Sequence, residues 1–124
     1  MITGLGIDLV EVDRIKQKIE KDNGFRELVF SANEITYCEK MANKYEHYAA
    51  RFAAKEALFK ALGTGWLSGT AFNEVEVINN ELGKPYIAFL GATQATMSTL
   101  QPGNIMVSLT HIKSTASAVV IIEK

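Results

Sequence analysis

The chain is short of the residues that usually announce chemistry. It has one cysteine, Cys38, and two histidines among 124 residues. A single cysteine excludes an internal disulfide framework and suits a reducing compartment, here the cytoplasm. With helical neighbours on both sides, Cys38 reads as a core residue and not as a nucleophile. No histidine–cysteine cluster spells a zinc site, and no Ser-His-Asp order is readable. No Gly-Lys-Ser/Thr follows the glycines around Gly63, which excludes a P-loop. Neither sign of charge is in excess: 13 Lys and Arg stand against 14 Asp and Glu, for a net charge of −1. That balance argues against broad electrostatic binding to nucleic acid and confines basic recognition to local patches. No apolar run is long enough to span a bilayer, so no membrane association is expected. Asp8, Glu11 and Asp13 stand where a signal peptide would be apolar. There is no repeat, linker or low-complexity tract, so residues 1–124 read as one domain.

What the chain does have is core material, at 48% hydrophobic residues, and one organising stretch. Residues 51–65, RFAAKEALFKALGTG, are helical by composition. They close on Gly63-Thr64-Gly65, where a left-handed glycine ends a helix. At about 100° per residue, Ala53, Ala54, Ala57 and Ala61 share a face that lets another backbone come close. Phe52, Leu58, Phe59 and Leu62 cover most of the remainder, so the helix reads as buried. Four charges nevertheless sit in it: Arg51 with Lys55, and Glu56 with Lys60. Buried charges need partners. Glu56–Lys60 reads either as an i,i+4 pair on a residual solvent edge or as part of a phosphate and metal site.

Residues 2–10, ITGLGIDLV, alternate with period two. Leu5, Ile7 and Leu9 point one way; Gly4, Gly6 and Asp8 point the other. Two glycines beside an aspartate leave room for something close to the backbone. Residues 11–21 switch to helical period, with Val12, Ile15 and Ile19 inward. Arg14, Lys18 and Lys21 line one outer edge, which is either a solvated face or a basic strip for an acidic partner. Phe25 to Phe30 read as a short buried turn, and Ser31 with Glu34 fits a capping box opening another helix. After Gly65 come a strand with Val75 and Val77 alternating against Glu74 and Glu76, a loop over 79–85, and a strand over 86–89. A weak helix over 91–100 follows, then two strands near 105–110 and 116–122 joined by a hairpin. The last strand is apolar enough to expect burial on both faces. This order predicts an α+β domain with an antiparallel-rich sheet packed against helices. Trp66 reads as packed and His47 as structural.

Asp8 and Glu56 are each a carboxylate in small or apolar surroundings. Two carboxylates with substrate phosphates make a magnesium site, and Lys55 and Lys60 are placed to meet the remaining phosphate charge. Two segments carry a resemblance. Gly6-Ile7-Asp8-Leu9-Val10 with Arg14-Ile15, and Arg51-Phe52-Ala53-Ala54-Lys55-Glu56-Ala57 running on to Gly65, resemble the two motifs of the small 4′-phosphopantetheinyl transferases of the holo-acyl carrier protein synthase type. Gly83-Lys84-Pro85 and Ser108-Leu109-Thr110-His111 match later segments, so the resemblance spans essentially the whole chain.

The resemblance implies that phosphopantetheine moves from coenzyme A to a serine of apo-acyl carrier protein, with adenosine 3′,5′-bisphosphate released, in service of fatty acid biosynthesis. It implies magnesium on Asp8 and Glu56, with Glu56 the candidate base for the serine proton and Lys60 the residue for the leaving phosphate. Lys55, Lys84 and His111 would hold coenzyme A, and Gly65 and Pro85 would shape its cleft. Arg14, Lys18 and Lys21 would face the acidic carrier protein. It also implies a homotrimer with sites at subunit interfaces, His111 coming from the neighbour. The competing reading is a non-catalytic α+β module that binds coenzyme A or a nucleotide without turnover.

Overall fold

The alanine face and the glycine face find each other. In the computed structural model, which describes residues 1–124, strand β1 (Ile2–Glu11) lies directly on helix α4 (Lys44–Leu62). A Cβ at Gly6 would lie 2.0 Å from the Ala57 carbonyl oxygen, and one at Gly4 would lie 2.2 Å from that of Ala61. The space left by the glycines is therefore filled by the backbone of α4. Around this contact the chain runs α1 (Val12–Glu20), α2 (Phe25–Val29), α3 (Ala32–Glu39), α4, a 3-10 turn (Phe72–Glu74), β2 (Val75–Asn79), β3 (Pro85–Phe89), α5 (Gly91–Leu100), β4 (Asn104–His111) and β5 (Thr115–Glu123).

Two antiparallel sheets form, one in the order β1-β5-β4 and one from β2 and β3. This is the expected α+β class. The larger sheet packs one face on α4. Ala116, Ala118, Val120 and Ile122 of β5 point inward and are buried, and they join Ala53, Ala57, Leu58, Val75, Val77 and Val107 in two adjoining cores. The intervening residues of β5 are only half-buried, so its burial within the chain is one-sided, contrary to expectation. The outer face of this sheet is apolar and open. Leu5, Ile7 and Leu9 are 66%, 64% and 71% exposed, and Leu5 pairs across to Ile121, which pairs on to Met106.

Local signals explain the ends of the elements. Gly63, at φ 78°, closes α4. Ser31 and Glu34 form the capping box of α3: Glu34 N–H donates to Ser31 Oγ, and Ser31 N–H to Glu34 Oε1 at 2.9 Å. Helix α5 has no cap of its own. The Glu74 carboxylate supplies one, accepting from Thr93 N–H at 3.1 Å and Thr93 Oγ1 at 2.8 Å. No helix is long and apolar enough to cross a membrane.

Candidate active site

Asp8 leaves β1 two residues beyond Gly6, on the side facing α4. Glu56 leaves α4 one residue before Ala57, the residue that Gly6 touches. The close β1–α4 contact therefore brings the two carboxylates to one cavity of about 360 Å³, which also includes Leu9, Val10, Arg14, Ile15, Lys18 and Phe52. Lys60, one turn beyond Glu56, does not pair with it. Its ammonium donates instead to Asp8 Oδ1 and to the Ile7 carbonyl, each at 3.0 Å. The Glu56 carboxyl is pushed above the ordinary carboxylate range, first by burial and then by the charge of Asp8, while Lys60 and Lys18 pull the other way. A cation between the two carboxylates relieves that repulsion. No cluster of three or more acidic, histidine or cysteine groups exists, so the protein offers a divalent ion two carboxylates. Two carboxylates would suit a hard divalent ion such as magnesium, which commonly completes its shell with water and substrate oxygens.

The basic strip starts at this cavity. Arg14 and Lys18 line it, and Lys18 with Lys21 lines the next cleft, about 340 Å³, together with Asn23, Phe25 and Leu28. None of the three bases forms an ion pair within the chain. Leu28 is 71% exposed at the same cleft, so a charged track ends on an apolar step.

A second cluster gathers on another face of α4. His111, at the end of β4, makes a 2.8 Å contact through Nδ1 with Glu46. Its ring meets that of His47 edge-on at 4.9 Å. Arg51, one turn beyond His47, is buried with its guanidinium 4.2 Å over the Tyr37 ring. No carboxylate pairs with it, and its Nε has no hydrogen-bond partner. His47 is held below its ordinary value, first by burial and then by the charges of His111 and Arg51. A buried arginine without a carboxylate partner, close to His47, could receive an anion.

Three comparisons bear on this arrangement. Residues 4–119 match the model of the 4′-phosphopantetheinyl transferase superfamily. The chain belongs to that superfamily. It is 48% identical over 127 residues to the holo-acyl-carrier-protein synthase of Cytophaga hutchinsonii, covering 100% of this chain and 99% of that one. Its fold superposes on the crystal structure of the Neisseria meningitidis holo-acyl-carrier-protein synthase with a TM-score of 0.90, at 29% identity and full coverage of both chains. It also matches the Helicobacter pylori holo-acyl-carrier-protein synthase, solved in complex with coenzyme A, with a TM-score of 0.83 at 28% identity. That match covers 96% of this chain and 99% of that one.

Within this phosphopantetheinyl transferase, the residues singled out from sequence do not all converge. Lys55 is the correction. It is fully buried, and its ammonium donates to Glu34 Oε1 at 2.7 Å, the Phe72 carbonyl at 2.7 Å and the Val75 carbonyl at 2.5 Å. An ammonium has three donors, so nothing remains for coenzyme A. Lys84 and Pro85 sit at the β2–β3 turn, where the Asn80 side chain accepts from Leu82 and Lys84 N–H. Gly65, at φ 62°, lies in the loop after α4. Neither these three nor His111 lines the Asp8–Glu56 cavity of the same chain. Trp66, expected to pack, is 63% exposed in the transferase. The candidates that sequence reasoning passed over are Arg51 as an anion-binding cation, Glu46 as the partner of His111, and Phe25 with Leu28 as an apolar step. Only Arg51 carried a sequence signal, a charge in a helix otherwise apolar nearly all round.

Proposed function

We propose that this transferase moves the 4′-phosphopantetheine arm of coenzyme A to a serine hydroxyl of an apo-acyl carrier protein, a reading in line with its relatives named holo-acyl-carrier-protein synthase. The observation that carries the reading is one cavity holding Asp8 and Glu56, with Arg14 and Lys18 on its wall and the basic strip leading away. Asp8 and Glu56 would hold magnesium, which when bound neutralises charge on the pyrophosphate. Glu56 takes the serine proton as the serine oxygen bonds to the phosphorus bearing pantetheine. The bond from that phosphorus to the bridging oxygen breaks, and adenosine 3′,5′-bisphosphate leaves with the electron pair. Lys60 swings from Asp8 to the departing phosphate, and positioning with electrostatics does most of the work. Arg14, Lys18 and Lys21 steer the acidic carrier, and Phe25 and Leu28 give it an apolar foothold.

The active assembly is a homotrimer of single transferase domains, with each site between two subunits. Two features support this. The sheet face bearing Leu5, Ile7, Leu9, Ile121 and Met106 is a contiguous apolar patch of the kind that subunits cover. His111 and Arg51 lie away from the metal-site cavity of their own chain, so a neighbour must bring them. Lys84, Pro85 and Gly65 then shape the coenzyme cleft from either side. The setting is cytoplasmic, and the holo-carrier serves fatty acid biosynthesis.

The test is incubation of purified protein with coenzyme A, magnesium and an apo-acyl carrier protein, followed by intact mass of the carrier. A gain of one phosphopantetheine is expected. Tight coenzyme A binding with no gain on any carrier would leave a binding module instead.

A further inference from the structure

We propose that the buried Lys55–Glu34 pair is a positioning device that fixes the roll of α4 so that Glu56 faces Asp8. The proposal deepens the metal-site reading above and rests on it.

The contacts of Lys55 reach three separate elements. Its ammonium is held by Glu34 of α3, the Phe72 carbonyl of the 3-10 turn and the Val75 carbonyl of β2. The other half of the pair is anchored as firmly. Glu34 Oε1 also accepts from Ser31 N–H at 2.9 Å, and Oε2 accepts from Val77 N–H at 3.0 Å. Ser31 Oγ in turn donates to the buried Glu76 carboxylate at 2.6 Å. Both Lys55 and Glu34 have side chains that are 0% exposed.

The rest of α4 holds its roll through fewer directed contacts, Tyr48, Leu58 and Phe59 being its large buried apolar side chains. Its packed surface is rich in alanine, with Ala49, Ala50, Ala53, Ala54, Ala57 and Ala61 all buried. Against β1 the helix presents the Ala57 and Ala61 carbonyls to the Gly6 and Gly4 backbone, a contact that interlocks few side chains, so it specifies the roll less sharply than a polar anchor of three directed hydrogen bonds. Adjacent helical residues point about 100° apart, and a fixed direction for Lys55 sets the direction of Glu56. The lever is long enough to matter. A side-chain tip about 6 Å from the helix axis moves about 1 Å for a 10° roll. A magnesium ion demands near-ideal geometry at about 2.0–2.1 Å, and a shift of that size defeats it.

The experiment compares Lys55→Met, Glu34→Gln and the double variant with wild type. Melting temperature and Mn²⁺ affinity, by electron paramagnetic resonance with coenzyme A present, are both read on the full chain. Either single change strands a buried charge or its partner and lowers the melting temperature; the double variant recovers much of it. The expected result is that Mn²⁺ affinity stays about ten- to a hundredfold weaker in the double variant, the range typical of groups that orient a ligand from behind. The KM for coenzyme A should stay near wild type, since Lys55 does not touch it. A double variant that regains both melting temperature and wild-type Mn²⁺ affinity makes the pair merely structural and overturns the proposal. If the double variant does not fold, Glu34→Gln alone, read well below its own melting temperature, applies the same Mn²⁺ criterion. Asp8→Asn is the control for the underlying reading. A wild-type protein whose Mn²⁺ binding is indifferent to Asp8→Asn overturns the metal site itself, and the positioning proposal with it.

Discussion

Replacing Gly6 by alanine strikes the contact that brings the two carboxylates together. The new Cβ would lie 2.0 Å from the Ala57 carbonyl oxygen and 2.7 Å from the Ala61 nitrogen, both backbone atoms of α4. No rotamer change relieves such a clash. Ordinary contact begins at 3.4 Å, so the strand must retreat by about 3.4 − 2.0 = 1.4 Å. Overpacking costs roughly 1–3 kcal/mol, and the upper end applies where backbone meets backbone. For a domain of this size that is a drop of roughly 10 °C in melting temperature. Asp8 lies two residues along the same strand and moves with it. A misplacement of about 1 Å costs about a hundredfold in rate, so transfer should fall by about that factor even where the protein is fully folded. Urea denaturation and Mn²⁺ titration of Gly6→Ala check the two halves separately. Adding Ala57→Gly should not rescue either, because the clash is with a carbonyl oxygen and not with the methyl group. A Gly6→Ala protein that melts with wild type and binds Mn²⁺ normally would refute the claim that this contact sets the site.

Four further outcomes follow from the same geometry. A carboxyl raised in the fold, as Glu56 is by burial and then Asp8, contributes stability at low pH that is lost as pH climbs from the ordinary carboxylate range through the raised value. Glu56→Gln should therefore stabilise the metal-free protein at neutral pH and flatten its pH–stability curve in that window, while abolishing transfer; an unchanged urea curve would count against it. Lys60 donates to Asp8 Oδ1, so Lys60→Met should tighten Mn²⁺ binding severalfold without coenzyme A yet depress transfer. Weaker binding in that titration would show that Lys60 is not a competitor. Arg14→Glu should raise the KM for carrier protein and blunt its salt dependence, with coenzyme A binding little changed; wild-type kinetics at low salt would reduce the strip to a solvated helix face. Asp8→Asn and His111→Ala proteins, each nearly inactive, should regain part of their activity when unfolded and refolded together, and a trimer with no recovery would place both residues in the same subunit's site.

Periodicity in the sequence told which residues share a face but not which face is the core. In β1 the alternation set Leu5, Ile7 and Leu9 against Gly4, Gly6 and Asp8 without assigning the core side; Leu5, Ile7 and Leu9 point out and the glycines point in. The reason is steric: a helix backbone needs the missing side chains. In β2 the alternation placed Glu76 outward with Glu74, but Glu76 is 3% exposed because α3 covers that side. Glu34 was legible as a capping residue and illegible as the partner of Lys55, since its cap is local and its burial comes from a strand more than forty residues later. Lys55 was misread for the same reason. A lysine beside a metal-ligand candidate resembles a phosphate group until its acceptors on Phe72 and Val75 are known. The weak helix α5 gave no start signal because its cap, Glu74, lies outside it. Asp8 with Glu56 was accessible because each looked out of place in its own segment.

Of the four charges between residues 51 and 60 of α4, two are paired within the chain. Lys55 is satisfied by Glu34, and Lys60 by Asp8. Two groups remain open. Arg51 is buried with no carboxylate and an unpartnered Nε, and Glu56 is half-buried with no ion pair. They have opposite charge and stand only five residues apart, so pairing them would have closed both at once. The helix forbids it: five residues turn about 500°, which leaves the two side chains about 140° apart around the axis. The chain thus keeps one open cationic and one open anionic valence on separate faces of one helix. Under the proposed function a magnesium-bound, polyphosphorylated coenzyme would answer both, the metal at Glu56 and a phosphate at Arg51. Within one subunit α1 and α3 pack on α4, so a single ligand joining the two faces would have to pass over them. In the proposed trimer two subunits meeting across the open apolar sheet would do so, each lending the face that the other lacks.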